Sequence, residues 1–243
     1  MSYRNPTLTE IIAELHLEEG TLPEKSFMAL ARELAAQGLD DQEFEQMVVV
    51  ESRDQDQEPE PKIVPRIRCW DSERIKLVQF SPDAVYVNLI GEYPGWNKFN
   101  DHVRTTRASI ESALKSNLQI IRVELQTVDK WKVDPTGFTI GQYLNCGGLF
   151  IPEWYAEVNV SSDISLGQGF YHRDGFNKKV KATVRTSEDN VQFQLLITSG
   201  ATDQQRDFEA LLDRLHNESV QYFEGLITDK VRNVVMGGNN DSG

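Results

Sequence analysis

The sequence predicts an α+β protein of two pseudo-repeated halves, each an antiparallel sheet packed against a long helix. Three observations carry that expectation. Several stretches alternate apolar and polar residues with the period of two of a sheet strand, as in Leu8–Leu17 and Ala84–Ile90. Two long stretches carry apolar stripes at helical spacing: Trp96, Phe99, Val103, Ile110 and Leu114, then Phe208, Leu211, Leu212, Leu215, Tyr222, Phe223, Leu226, Ile227, Val231 and Val234. The order strand, helix, three or four strands, long helix runs once to about Asn117 and again to about Val235. A chain of 243 residues is long enough for one large domain or two smaller ones, each with a core. We expect an amino-terminal half over 1–117 with an acidic loop at 51–61, a second half over 118–236, and a disordered tail at 237–243.

In the first half, Ile11, Ala13, Leu15 and Leu17 alternate with Glu10, Ile12, Glu14 and His16, which makes a strand with one polar face. Pro23–Gln37 reads as a helix with Phe27, Leu30, Ala31 and Leu34 inward, Pro23 near its start and Gly38 at its stop. Met47–Glu51 reads as a short edge strand, and Lys62–Trp70, Arg74–Phe80 and Ala84–Ile90 as an antiparallel meander. Gly91, Pro94 and Gly95 then turn the chain into a helix that begins at Trp96. Trp96 and Phe99 fall on its inward stripe and are expected to fasten it to the sheet; an exposed recognition tip at Tyr93 and Trp96 is the alternative. In the second half we expect a long strand over Leu118–Val133, a short helix over Thr139–Leu144, and strands at Tyr155–Ser161, Gly169–Arg173, Lys178–Thr186 and Val191–Thr198. The longest helix is expected from Asp203 to about Val235.

A net charge of −13 argues against general nucleic-acid binding, which needs a basic surface. Asp40 to Glu60 holds nine acidic residues against Arg53 alone and supplies −8 of that charge. A solvated linker explains such a run; a steering field for a basic partner is its functional alternative. Cys69 and Cys146 are the only cysteines and have no metal-like spacing, so two free thiols in a reducing compartment are expected. No secretory signal opens the chain and no apolar run reaches the roughly 18–20 residues that span a bilayer. A cytoplasmic protein without membrane contact is the expectation.

The candidates for chemistry are few. None of the four histidines pairs at the helical i, i+4 spacing of a zinc site, so no metal and no cofactor are expected. Glu10, Glu14 and His16 share one strand face, and carboxylates inside a sheet can hold a metal–phosphate substrate. The Glu-x-Glu-x-Lys run of tunnel-like triphosphatases is absent, however. Arg173, Lys178, Lys179, Lys181 and Arg185, with Tyr171 and Phe176 among them, form one basic and aromatic cluster. Lys179, Lys181 and Arg185 lie on one face of a strand, where they would meet phosphates or an acidic partner.

Three segments carry a resemblance to a known group of proteins. Asn5, Pro6, Leu8 and Glu10 open the chain; Leu77, Val78, Gln79, Pro82, Asp83 and Asn88 lead to Tyr93-Pro94-Gly95-Trp96; Leu215, His216, Phe223, Glu224, Ile227, Thr228 and Asp229 close it. In these the chain resembles a sporadically distributed family of uncharacterised prokaryotic proteins of similar length. Members tend to read Leu-Arg-Tyr-Ile-Asn where this chain has Leu125, Gln126, Thr127, Val128 and Asp129. The patchy distribution of that family implies a defence-associated accessory or immunity role. The expectation is thus a non-catalytic binding or regulatory protein acting through a protein partner, with Tyr93, Trp96, Tyr171, Arg173, Lys179, Lys181 and Arg185 as binding residues. A metal-dependent phosphohydrolase or nucleotide-binding enzyme built on Glu10, Glu14 and His16 is the alternative. A homodimer is expected, because Met47–Val50 offers an apolar sheet edge.

Overall fold

Alternate burial along Leu8–Leu17 makes the first strand, β1: Ile11, Ala13, Leu15 and Leu17 are buried while Glu10, Ile12 and His16 lie on the partly open face. The structure is a computed structural model that describes residues 5–50, 61–134, 139–145, 164–171, 176–186, 191–201 and 207–237, with backbone alone at 49–50, 61–62, 164–171, 176–178 and 186. The protein is α+β, with helices beside antiparallel strands. It divides into two compact units. One comprises Ile12–Ile90 and Pro94–Val123, the other Met1–Ile11, Gly91–Tyr93 and Glu124–Gly243.

The first of these units holds the helices α1 (Phe27–Ala35) and α2 (Trp96–Leu114) and the strands β2 (Asp41–Val50), β3 (Pro61–Trp70), β4 (Lys76–Ser81) and β5 (Ala84–Ile90). Its hydrogen-bonded strand order is β2-β3-β4-β5-β1. Successive antiparallel hairpins pair Asp41 with Trp70, Ile67 with Phe80, and Gln79 with Tyr86. Period two sends Ile67, Cys69, Val78, Phe80, Val85 and Val87 into the core. The helices supply Phe27, Leu30, Leu34, Phe99, Val103 and Ile110, with Phe27 edge-on to Phe80 at 5.1 Å. Gly95, at φ 101, adopts a backbone that side chains resist, and α2 starts on the next residue. Phe99 is the fully buried anchor of that start; Trp96 is half-buried, its ring 5.6 Å from that of Phe99. Strand β2 begins six residues earlier than the apolar run at Met47 foretells.

The other unit holds most of β6 (Ile120–Val133), then β7 (Ile164–Tyr171), β8 (Phe176–Thr186), β9 (Val191–Ala201) and helix α3 (Phe208–Leu226), with strand order β1-β6-β9-β8-β7. Trp131 stacks on Phe193 at 5.0 Å, Tyr143 leans on the same ring at 5.3 Å, and Val180, Ala182, Val184, Leu195 and Ile197 surround them. Asp207 caps α3 by accepting from the Glu209 amide at 3.0 Å. Leu211, Leu212 and Leu215 face the core, and the buried Ser199 and Ser219 hydroxyls meet at 3.0 Å to tie α3 to β9.

A single helix to Val235 is not what forms. Ile227 is extended and bridges Leu144, the Asn145 amide donates to the Leu226 carbonyl at 2.7 Å, and a separate π-helical turn covers Val231–Val235. The short helix expected at Thr139–Leu144 is a 3-10 turn, Ile140–Gln142. The expected strand at Tyr155–Ser161, the acidic loop after Val50 and the terminal tail lie outside the described residues.

Candidate functional site

Strand β8 has one face in the core and one in solvent. Val180, Ala182 and Val184 are buried against the Phe193 cluster, and the alternate positions Lys179, Lys181 and Arg185 are exposed. Register decides what surrounds these cations. Lys179 pairs with Gly169 of β7 and Thr198 of β9; Lys181 pairs with Gly167 and Leu196; Arg185 pairs with Gln192. Among the described residues no carboxylate faces Lys179 or Lys181 across the ladder, and the two glycines add no side chain beside the lysine stems. Residues two apart on a strand lie ~7 Å apart, the repeat at which an extended peptide presents alternate side chains. Tyr171 ends β7, where the backbone alone is described, and Arg173 lies outside the described residues.

Of the alternative enzyme residues, two are brought together. His16 Nε2 lies 3.2 Å from Glu14 Oε1. The Tyr86 side chain, opposite Gln79 in the ladder, is hydrogen-bonded to Glu14; burial and then the Glu14 charge hold its hydroxyl well above the ordinary tyrosine range. Glu10 shares this face of β1 but stands four residues away, ~13 Å along an extended strand, too far to share one ion with Glu14. Glu14 and His16 supply two of the donor atoms a zinc ion takes, and a carboxylate-oriented imidazole is also suited to accepting a proton.

Tyr93 and Trp96 do not form an exposed tip. Both are partly buried, and burial pushes the Tyr93 hydroxyl up to about 12. His102, further along α2, is held near 4 by burial, with the Lys76 charge acting the same way, so its imidazole is neutral at pH 7.

A polar assembly of three carboxylates and three arginines lies where the sequence reading placed a solvated linker. Glu45 accepts from Arg66 at 2.7 Å and Arg68 at 3.0 Å; Glu43 meets Arg68 at 3.0 Å and Arg74 at 2.9 Å; Asp41 meets Arg74 at 2.6 Å. The hydrogen bonds from Arg66 and Arg68 hold the Glu45 carboxyl below its usual range. Guanidinium groups of Arg68 and Arg74 also lie 5.0 and 5.1 Å from the Trp70 ring, a cation–π arrangement. Asp41, Glu43 and Glu45 are therefore strand residues with fixed partners. The readable signal was the matching period of two in Asp41, Glu43, Glu45 and in Arg66, Arg68.

No family model matches the chain, and no curated protein matches it. Among solved structures it is similar to the S. pombe Pct1 RNA triphosphatase in complex with the Spt5 CTD, at 9% identity and a TM-score of 0.17, over 89% of this chain and 83% of that one. None of the described helices is long and apolar enough to cross a membrane.

Proposed function

We propose that the chain is a non-catalytic binding module that grips an acidic segment of a protein partner along β8. The observation that carries this reading is the exposed pair Lys179 and Lys181, opposed across the ladder by Gly169, Gly167, Thr198 and Leu196, in a chain of net charge −13. Alternate Glu or Asp side chains of an extended peptide would meet these cations in step. The resemblance to the sporadic prokaryotic family supports a cytoplasmic accessory or immunity role in defence. We read the two units as versions of one plan, sheet plus long helix, and the protein as a homodimer. Titration of an alternating Glu peptide, followed by anisotropy, tests the reading. Binding that weakens with salt and is lost in Lys179→Glu/Lys181→Glu supports it; binding indifferent to that double variant removes it.

The Glu14–His16 contact favours a second reading, a metal-dependent phosphohydrolase. Turnover of phosphoesters with a divalent metal, abolished by Glu14→Gln, would install it in place of the first.

A further inference from the structure

Strand β2 ends the strand order of its unit, so one side of its ten-residue backbone has no strand beside it among the described residues. The face shared with α1 is bare along the strand's second half. Phe44 is 59% and Val48 65% exposed, and Ile63, paired with Val48, is 63% exposed. Helix α1 covers this face only as far as Ile67 and Gln42, whose amide donates to the Ala31 carbonyl at 2.8 Å. Sheet edges are ordinarily guarded by lysine, proline or an unpaired charge. Here the described edge carries none: Asp41, Glu43 and Glu45 sit on the opposite face, already engaged by Arg66, Arg68 and Arg74.

We propose that a second copy of this chain pairs with β2, antiparallel, about a two-fold axis at Gln46. This names the surface behind the homodimer reading above and rests on it. An isologous pairing is set by its centre. Centres at Glu43, Phe44 or Glu45 set acid against acid, which disfavours pairing. A centre at Met47 sets Val48 against Gln46. Only a centre at Gln46 places Phe44 of each copy against Val48 of the other, with Gln46 against Gln46 and Glu45 against Met47. The two most exposed apolar side chains among the described ones of the strand then cover each other twice.

Light scattering should give twice the 27.7 kDa chain mass at micromolar concentration. Val48→Lys should give a folded monomer whose melting temperature no longer rises with protein concentration, as that of the dimer does. In a Cys146→Ser background, Gln46→Cys should cross-link to itself on mild oxidation, since facing Cα atoms lie ~4.5–5.5 Å apart, within disulfide reach. Phe44→Cys should not, its two copies standing ~14 Å apart. A monomeric wild type removes both this edge and the homodimer reading. A dimer that survives Val48→Lys, or whose Cys at position 46 fails to cross-link, keeps the homodimer and overturns the β2 edge.

Discussion

Strands β2 and β8 each carry like charges at alternate positions, Asp41, Glu43 and Glu45 on one and Lys179 and Lys181 on the other, yet the charges meet different fates. On β2 the carboxylates of Asp41, Glu43 and Glu45 face arginines from β3 and the following turn, within 2.6–3.0 Å. On β8 Lys179 and Lys181 face glycine, threonine and leucine. A charge row has a structural role where the neighbouring strand answers it in the same register, and stays in solvent where the neighbour answers with small or neutral side chains. Net charge per segment cannot separate these cases; register can.

The contrast can be broken or sharpened by experiment. The largest effect should come from the support under the β8 row: Phe193, fully buried between Trp131 and Tyr143, should cost ~3–5 kcal/mol on truncation to Ala in urea unfolding. Next comes pH. Buried Asp129, whose Oδ1 accepts from the Thr7 hydroxyl at 2.7 Å, has its carboxyl pushed by burial from 3.8 up to about 7. Its folded value is raised, so this contribution is fully present below pH 3.8 and is lost as pH rises towards 7, by at most ~1.4 kcal/mol per pH unit. Asp129→Asn, which cannot ionise, should flatten that slope. Glu45 has the opposite sign: its folded value is lowered, so what it adds is present at neutral pH and lost on acidification.

Arg68→Ala should cost ~2 kcal/mol, the scale of charge-assisted hydrogen bonds, because it leaves half-buried Glu43 and Glu45 short of a donor. Lys181→Ala is the matching substitution on the other strand and should change stability by no more than ~0.5 kcal/mol, as solvent-facing positions do. Comparable costs at the two positions would erase the distinction between answered and open rows.

Much of the fold was legible because local pattern and tertiary burial agree: β1, β3, β5 and α2 follow their apolar periods closely. The misses share one cause, a partner distant in sequence. The start of β2 reads as loop because carboxylates disfavour strands, and its arginines arrive some twenty residues later. The break after Leu226 depends on Tyr143, Leu144 and Asn145 claiming the chain, although a helical stripe runs on past it. Of the candidate sites, the basic face of β8 was readable from even spacing alone. The Glu14–His16 approach was too, but the hydroxyl of Tyr86 joins them only through the β5 pairing.

Arg74 stands in the turn between β3 and β4 at φ 55, a left-handed backbone that a glycine or asparagine would adopt more readily. Its guanidinium holds Asp41 and Glu43 from there and lies against Trp70. The turn and the far strand are thereby a single heritable unit. A lineage that relaxes the backbone by placing glycine at 74 gives up the donor for 41 and 43 in the same step, so these positions should drift together: arginine at 74 with acids at 41 and 43, or glycine at 74 with neutral residues in their place.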